Sequence, residues 1–411
     1  MKKIILSLLL FLIPIYVSAS AVPLVKIGGR YYDTLEEAIN VAPEGATITL
    51  ISNIETDNTL NINKNVNIDL NGNNITAPSK VFEVKGGSLT LSGKGTIKEK
   101  NPNYGAIMLI GSNVPTNDKY SSVSVGKDVT LEGWSGIFIN HENSKSYGVT
   151  VNLEGKINAL DDISGGLGAG IYVNGKIKDK EQHPVINIMD GASITSTGNG
   201  LYIAGYSTFN IGDAYIEGVE SGIGIKSGKL IIDGATVVCS GEDKTPTEGF
   251  NNGIKASGTA IQIESNSSYA GNIELDISRG DFTSKNSNVI YEYIGKGNTS
   301  KIYSMSISGG TFKGSKDVFS FSNSFKDIHS GFISGGEYSS NPSSYLKNGY
   351  TTVTSDEVYK VIKSTMKEVN YENTKNSNSF IKILISGLIL IVLIIIGYFN
   401  KEKLSKLFKR V

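Results

Sequence analysis

The chain contains one cysteine, three histidines and one tryptophan among its 411 residues. A single cysteine excludes an intrachain disulfide, and Cys239 ends the strand-like run Thr236–Cys239, which favours a small core residue over a reactive thiol. His141, His183 and His329 are scattered, and no pair has metal-ligand spacing. The sequence therefore indicates no metal site and no cofactor site.

Arginine is also scarce, since only Arg30 and Arg279 occur outside the last residues of the chain. The formal net charge of zero hides an uneven distribution. Residues 1–21 and 380–411 hold eight of the 39 basic and one of the 39 acidic residues, which leaves 31 positive and 38 negative side chains, a net charge of −7. Such a surface repels polyanions, which disfavours nucleic acid and polyuronates as partners unless a cation bridges them.

Residues 1–21 have the pattern of a secretory signal peptide. Two lysines precede an apolar run over residues 4–16, and small residues follow, including Ala19 and Ala21. Cleavage after either alanine exports the chain. An uncleaved signal anchor is the alternative, and it leads to the same compartment.

A second apolar segment, residues 380–399, is long enough to cross a membrane. Twenty helical residues span about 30 Å, the thickness of one hydrocarbon core. Its one charged residue, Lys382, lies near the end, and the basic tail 400–411 follows. This predicts a cytoplasmic C-terminus with the bulk of the chain extracellular. Residues 364–379 are polar and without pattern, as expected of a linker.

The apolar segment and its tail resemble the sorting signal of sortase-anchored wall proteins. Residues 372–377, however, lack the Leu-Pro-x-Thr-Gly sequence and any Pro-centred variant of it. This departure favours a single-pass membrane anchor over covalent transfer to peptidoglycan.

Short alternating strands that end at a glycine recur through the middle of the chain. Successive glycines are separated by 21, 40, 22, 36, 21, 22, 46, 30 and 26 residues. They are Gly72, Gly93, Gly133, Gly155, Gly191, Gly212, Gly234, Gly280, Gly310 and Gly336. A unit near 22 residues, with the intervals of 40 and 46 counted as two units, predicts a stacked repeat architecture.

Period-two strands with no helical periodicity between them predict an all-β fold, a right-handed parallel β-helix over residues 51–363. Each rung of this fold pairs its backbone with the rungs above and below, and inward apolar side chains form one core. The spacing predicts eleven or twelve rungs, with a positive-φ glycine at each corner. A β-sandwich and a β-propeller are the alternatives, but propeller units run to about 40 residues or more.

Both ends of the stack are predicted to be covered. Residues 22–50 form an N-terminal cap with a short helix, because Thr34-Leu35-Glu36-Glu37 is a capping box followed by apolar residues on one helical face. The segment 345–350 and a strand around 358–362 are expected to close the far end. Such caps shield the open strand edges.

Several segments together carry a family resemblance. These are the opening residues 25–28, 32–39, 48–50 and 69–72, the repeated Ile-Ser-Gly-Gly of 307–310 and 333–336, and the closing segment 339–350. They resemble pectin-lyase-like β-helix surface proteins of Gram-positive gut bacteria, over residues 25–362. The resemblance implies the fold and a surface location. It implies no activity, because this fold hosts lyases, hydrolases and adhesins alike.

The sequence offers little catalytic chemistry. The polygalacturonase pattern needs clustered aspartates with Gly-His-Gly and Arg-x-Lys, and neither motif occurs. Asp161-Asp162, in a glycine-rich loop, is the candidate catalytic or calcium pair, with a solvated turn as the simpler interpretation. Arg279 is the candidate proton-abstracting residue of a calcium-dependent pectate lyase, but it falls at the Gly309 position of the repeat and fits a turn. We therefore assign no catalytic residue.

Two other features are candidate ligand contacts. Arg279-Gly280-Asp281 spells the tripeptide recognised by integrins, although it aligns with Gly309-Gly310-Thr311 as one turn of the repeat. Four aromatic residues are candidate stacking platforms for sugars, although aromatic residues are common on β surfaces. They are Trp134, Tyr291, Tyr293 and Tyr303.

Two classes of function remain. The sequence favours a membrane-anchored adhesin that binds a glycan or host surface without turnover, because the rod is capped and anchored and no catalytic set converges. The alternative is a surface-displayed carbohydrate-active enzyme, a polysaccharide lyase or glycoside hydrolase. It predicts a carboxylate-lined groove near Asp161-Asp162 and the long insertions 101–120 and 156–185.

Deleting residues 380–411 is expected to move the protein from the membrane fraction to the soluble fraction, because the predicted membrane span is removed. Deleting residues 365–379 instead shortens only the linker and should leave the protein in the membrane fraction. Fractionation with immunoblotting distinguishes the two, and a membrane-bound 380–411 deletion would contradict the anchor.

Overall fold

The computed structural model describes residues 22–116, 119–139, 146–175, 182–244 and 258–364. The predicted signal peptide, linker beyond Ser364, membrane helix and basic tail lie outside the described residues, as does His141. Among the residues that are described, no helix is both long and apolar enough to cross a bilayer.

The described chain winds into coils of three strands, and each strand pairs in parallel with its equivalents in the neighbouring coils. The coils thus present three faces. The first face contains Thr47–Leu50, Asn65–Asp69, Ser88–Ser92, Ser121–Val125, Val149–Leu153, Val185–Ile188, Thr208–Ile211, the starts of Gly228–Cys239 and Ile273–Ser284, and Ile302–Ile307. The second contains Ile54–Glu55, Ile75–Ala77, Gly95–Glu99, Val129–Gly133, Lys156–Ala159, Ser193–Ser196, Tyr215–Gly218, the ends of the same two long strands, Thr311–Gly314 and Glu337–Tyr338.

The third face forms a separate sheet of ten strands. They are Leu60–Ile62, Phe82–Lys85, Ile107–Ile110, Ile137–Ile139, Ala169–Asn174, Asn199–Ala204, Ser221–Ile225, Thr259–Ser265, Ile290–Ile294 and Phe319–Ser320. The other two faces, joined to the terminal strands, form a single sheet of 23. The architecture is therefore a parallel β-solenoid, as predicted for a β-helix.

The described residues contain ten complete coils, and the second face has an eleventh strand, Glu337–Tyr338, which agrees with the lower of the eleven or twelve rungs predicted. The two glycine intervals that were counted as two units each correspond to one coil each. The 46 residues from Gly234 to Gly280 belong to one coil, because residues 240–258 are inserted between two of its strands. Gly133 ends a second-face strand, and the corner between the first two faces of that coil is at Gly126. Glycine spacing alone does not fix the count, because coils differ in length.

The prediction of a positive-φ glycine at every corner is only partly right. Most of the predicted corner glycines have positive φ, but Gly133, Gly155 and Gly212 do not. A Cβ on Gly155 would lie 2.5 Å from the carbonyl oxygen of Val129, so glycine is needed there for close approach of two backbones.

The connections between strands differ in length from one corner of the coil to the next. Between the first and second faces they contain at most five residues. The long connections, including 111–120, 160–168 and 240–258, all adjoin the third face. The corner between the first two faces is therefore tight along the whole solenoid.

The core is built from inward side chains that stack from coil to coil. Strand Ser121–Val125 shows the alternation of buried and half-buried residues that the sequence predicts. Near the C-terminal end Phe282, Phe312 and Tyr338 stack nearly parallel, with ring centroids 4.8 and 5.0 Å apart. Tyr338 Oη donates a 2.8 Å hydrogen bond to the carbonyl oxygen of Gly335, which satisfies the buried hydroxyl.

The N-terminal end is capped by helix α1, Leu35–Val41, and by strands Val25–Ile27 and Arg30–Tyr32. Thr34 is the N-cap residue, and its hydroxyl accepts a hydrogen bond from the Glu37 amide at 3.1 Å, which confirms that part of the capping box. Leu35, Ala38 and Ile39 are buried in the core.

The C-terminal end is closed by helix α2, by the 3₁₀ turn and by an antiparallel hairpin. Their bounds are Asn323–Ile328, Ser343–Tyr345, Tyr350–Ser355 and Val358–Lys363. Phe325 of α2 and Val361 of the hairpin are buried in the core. The core runs from Val25 to Val361, so residues 22–364 contain every element that encloses it.

Phe312→Ala is expected to lower the free energy of unfolding by about 3–5 kcal/mol, because it leaves a cavity between two stacked rings. Urea denaturation would measure the change. Tyr303→Ala is the control, since the Tyr303 side chain is 61% exposed and its loss should cost little. Equal effects of the two substitutions would contradict the stacked core.

Candidate functional site

An open groove of about 600 Å³ runs along the first face over four successive coils. It is lined by Asn152, Glu154, Asn187, Ile188, Met189, Asp190, Asn210, Ile211, Gly212, Ile231 and Asp233. Because the adjoining corner has only short connections, no long loop arises beside the groove on that side.

Three asparagines form a row along the groove. Asn152, Asn187 and Asn210 occupy the same register position in consecutive coils. Asn187 Nδ2 donates to Asn152 Oδ1 at 2.8 Å, and Asn210 Nδ2 donates to Asn187 Oδ1 at 2.8 Å. Ser124, one coil earlier, accepts from Asn152 Nδ2 at 3.3 Å. Parallel pairing therefore converts a repeated amide into a continuous hydrogen-bonded row.

The asparagine row retains capacity for a ligand. An asparagine side chain has two N–H donors and two acceptor lone pairs on its oxygen. Asn187 uses one donor and one lone pair within the row, which leaves one of each, and its side chain is half-buried. A hydroxyl group can both accept from such an amide and donate to it.

Three carboxylates lie beside the asparagine row, at the tight corner between the first and second faces. Glu154, Asp190 and Asp233 are exposed at this edge of the groove. Asp190 Oδ1 accepts the backbone N–H of Asp213 at 2.9 Å, which fixes the turn of the next coil. The groove is therefore lined by amides and bordered by negative charge.

Arg279 bridges three coils at the same corner. Its Nη1 and Nη2 donate to the two carboxylate oxygens of Asp213 at 2.6 and 3.2 Å, and its Nε donates to Asp233 at 2.8 Å. Hydrogen bonding from Ser278 and the guanidinium charge lower the pKa of Asp233, while the pKa of Arg279 is raised. A guanidinium held in its charged form by two aspartates is poorly suited to abstract a proton.

The integrin-type tripeptide is one turn of the repeat. Asp281 pairs with Thr311, so Arg279-Gly280-Asp281 aligns with Gly309-Gly310-Thr311, as the sequence predicted. The Arg279 side chain is held by Asp213 and Asp233 of the same chain, which disfavours its presentation to a receptor.

Asp161 and Asp162 lie in a loop between the second and third faces. Asp162 Oδ1 accepts hydrogen bonds from the Ser164 amide, the Ser164 hydroxyl and the Gly166 amide at 2.6–2.8 Å, and these bonds lower the pKa of Asp162. Within the described ranges, no three His, Cys, Asp or Glu side chains are grouped to hold a metal ion. Asp162 organises a turn.

The two segments predicted as long insertions contain regular structure. Strand Ile107–Ile110 lies within 101–120, and strands Lys156–Ala159 and Ala169–Asn174 lie within 156–185. The true connections are shorter, at 100–106, 111–120, 160–168 and 175–184.

The remaining predicted candidates are dispersed. His183 Nε2 lies 2.7 Å from the Thr208 hydroxyl, and His329 Nε2 donates to the Ile302 carbonyl oxygen at 2.9 Å. Tyr291 and Tyr293 are half-buried on the third face, whereas Tyr303 is exposed.

Trp134 belongs to an aromatic cluster that the sequence did not reveal. Its ring centroid lies 5.2 Å from that of Tyr172. Tyr172 stacks between Phe138 and Tyr202, at centroid distances of 4.8 and 4.5 Å. Tyr172 and Tyr202 are buried, so they offer no open platform to a sugar.

A buried ion pair extends this cluster. Lys226 Nζ lies 2.8 Å from Glu264 Oε2, and both side chains are almost wholly buried. The ammonium also lies 5.2 and 4.5 Å from the ring centroids of Tyr202 and Tyr269. Loss of either charge would leave the other buried and unpaired, so we assign the pair a structural role.

Burial raises the pKa of the Glu99 carboxyl. Its Oε1 accepts the amides of Asn103 and Tyr104 at 3.1 and 3.0 Å, and its Oε2 accepts the Trp134 amide at 3.1 Å. Glu99 is fully buried, so no substrate reaches it. It holds a loop in place.

The fold and groove define a class of protein, a capped parallel β-solenoid with an amide-lined surface groove. Comparison with protein-family models, with curated proteins and with solved structures gave no match.

Arg279→Gln is expected to raise the pKa of Asp233, because the neighbouring positive charge is removed while Ser278 still donates. Because the pKa of Asp233 is lower in the folded state than in the unfolded state, its ionisation stabilises the fold at pH values above the unfolded-state pKa. This stabilisation is lost as the pH falls through the folded-state pKa. NMR titration of Asp233 in both proteins measures the shift. Arg30→Gln is the control, and an unchanged Asp233 pKa in Arg279→Gln would contradict the ion pair.

Proposed function

We propose that this chain is an extracellular, membrane-anchored β-helix that binds carbohydrate in the asparagine-lined groove and does not cleave it. The observation that carries the proposal is the hydrogen-bonded row of Asn152, Asn187 and Asn210. It offers a spare donor and a spare acceptor at regular steps of about 4.8 Å along the rod. A polyol chain lying parallel to the axis presents hydroxyls that match both.

The charge around the groove favours neutral or cationic glycans over acidic ones. Glu154, Asp190 and Asp233 border the groove, and the predicted exterior part of the chain carries a net charge of −7. Like charges disfavour a uronate. Met189 is 43% exposed and Ile231 half-buried at the same groove, and their apolar surfaces suit the C–H faces of sugar rings.

The adhesin function is preferred to catalysis because neither Asp233 nor Glu99 suits the role of the catalytic acid. Glycoside hydrolysis generally needs one carboxyl that stays protonated and a second that stays ionised. The lowered pKa of Asp233 keeps it ionised, and the raised pKa of Glu99 belongs to a fully buried side chain. Carbohydrate-active chemistry therefore stands as the second candidate.

The location of the protein rests on its sequence. Residues 1–21 and 380–411 support export followed by retention at the membrane. The resemblance to pectin-lyase-like surface proteins supports a right-handed coil and a Gram-positive origin.

Residues 22–364 are expected to bind neutral or amino glycans on an array of plant, mucin and bacterial-wall glycans. Asn187→Ala with Asn210→Ala should weaken that binding by about thirtyfold, because each variant side chain loses one ligand hydrogen bond of roughly 1 kcal/mol. Asn67→Ala is the matched control, since Asn67 lies on the same face outside the groove. Equal binding by all variants would contradict the assignment of the groove.

The bound glycans should show no new reducing ends or unsaturated sugars, with or without calcium. Cleavage would contradict the adhesin proposal and indicate an anchored enzyme. If Asp161→Asn with Asp162→Asn, or Asp190→Asn with Asp233→Asn, abolished that cleavage, the substituted pair would be the catalytic carboxylates.

A further inference from the structure

The last hairpin leaves a strand edge open. Strand Tyr350–Ser355 pairs antiparallel with Val358–Lys363 on one side. Within the described part of the chain, its other side pairs with no strand. Its outward residues are exposed, and Val353 is 50% exposed at the centre of the strand.

This edge lacks the features that usually prevent strands from pairing between molecules. Edge strands are commonly short, or carry lysine or proline. The N-terminal edge strand Arg30–Tyr32 follows that pattern, with three residues and a charge. Tyr350–Ser355 has six residues, reads Tyr-Thr-Thr-Val-Thr-Ser, and contains no charge and no proline. The two ends of the rod are therefore unequally protected.

The ends of the open strand carry opposite charges. Lys347 precedes it, and Lys363 pairs with its first residue, Tyr350. Asp356 and Glu357 form the turn at its other end, and all four charged side chains are exposed. A two-fold axis normal to the sheet pairs two copies antiparallel, so the acidic end of each strand meets the basic end of the other. A parallel arrangement would place like charges together.

The acidic turn is kept at a conformational cost. Asp356 and Glu357 have φ of 50° and 63°, the left-handed region that a two-residue hairpin turn requires. Asn-Gly would adopt this turn with less strain. Two acidic residues thus occupy positions where glycine would relax the backbone, and their charge is available for a contact.

We propose that two copies of this chain pair through strand Tyr350–Ser355, antiparallel about a two-fold axis, with Val353 opposite its copy. The two hairpins then form one four-stranded antiparallel sheet, and each acidic turn lies beside Lys347 of the other copy. The exposed residues Val358 and Ile362 lie on the same outer face as Val353. A contact along six residues buries much less surface than a standard interface of about 1,600 Å². The pairing is therefore weak, and the dimer forms where the local concentration of the chain is high.

Disulfide trapping of the full chain in mild detergent tests this contact. Val353→Cys should form a covalent dimer on mild oxidation, because directly opposed residues bring their Cβ atoms within roughly 5 Å. The native Cys239 is buried and should not react. Tyr303→Cys is the control, an exposed residue on a different part of the solenoid. Equal trapping of the two variants would overturn the proposal.

Charge reversal then tests the orientation. In the Val353→Cys background, Lys347→Glu or Glu357→Lys alone should slow trapping by roughly fivefold, because each reversal places like charges together at both ends of the pair. The two reversals combined restore opposite charges and should restore the rate. Trapping that is insensitive to the single reversals, or a double variant as slow as either one, would contradict the antiparallel pairing.

Discussion

Main-chain pairing between successive coils is the constraint on which the rest of this molecule depends. Each coil adds one step of about 4.8 Å, so a side chain lies directly against the side chains at the same register position in the coils before and after it. Inside the solenoid this places Phe282, Phe312 and Tyr338 face to face. Outside it joins Asn152, Asn187 and Asn210 through their amides. One geometric rule therefore builds both the core and the lining of the groove.

The local rules of the fold could be predicted from the sequence. Alternation of apolar and polar residues is imposed by the pleat of a strand, and it identified strands such as Val149–Leu153 correctly. The N-cap at Thr34 followed from the chemistry of helix ends. The number of coils was not accessible in the same way, because a coil is closed by pairing at its three faces, and the connections that adjoin the third face vary widely in length.

The candidate site was hidden for the same reason. Asn152 and Asn187 are 35 residues apart, whereas Asn187 and Asn210 are 23 residues apart. No fixed period connects them, and only the register of parallel strands brings them together. Asp162, which stood out in the sequence, forms contacts within its own turn, whereas Arg279 contacts Asp233 and Asp213 of the two preceding coils. Short-range motifs thus identified local structure, while the site depends on long-range alignment.

The unequal corners of the coil divide the surface into two regions with different freedom to change. The corner beside the groove allows at most five connecting residues, whereas the corners beside the third face accept segments as long as 240–258. A longer connection at the corners beside the third face leaves the register of the paired strands unchanged. Insertions in the third-face loops would therefore change the surface there while leaving the groove of the first face intact, and antibodies directed at those loops would not cover the groove.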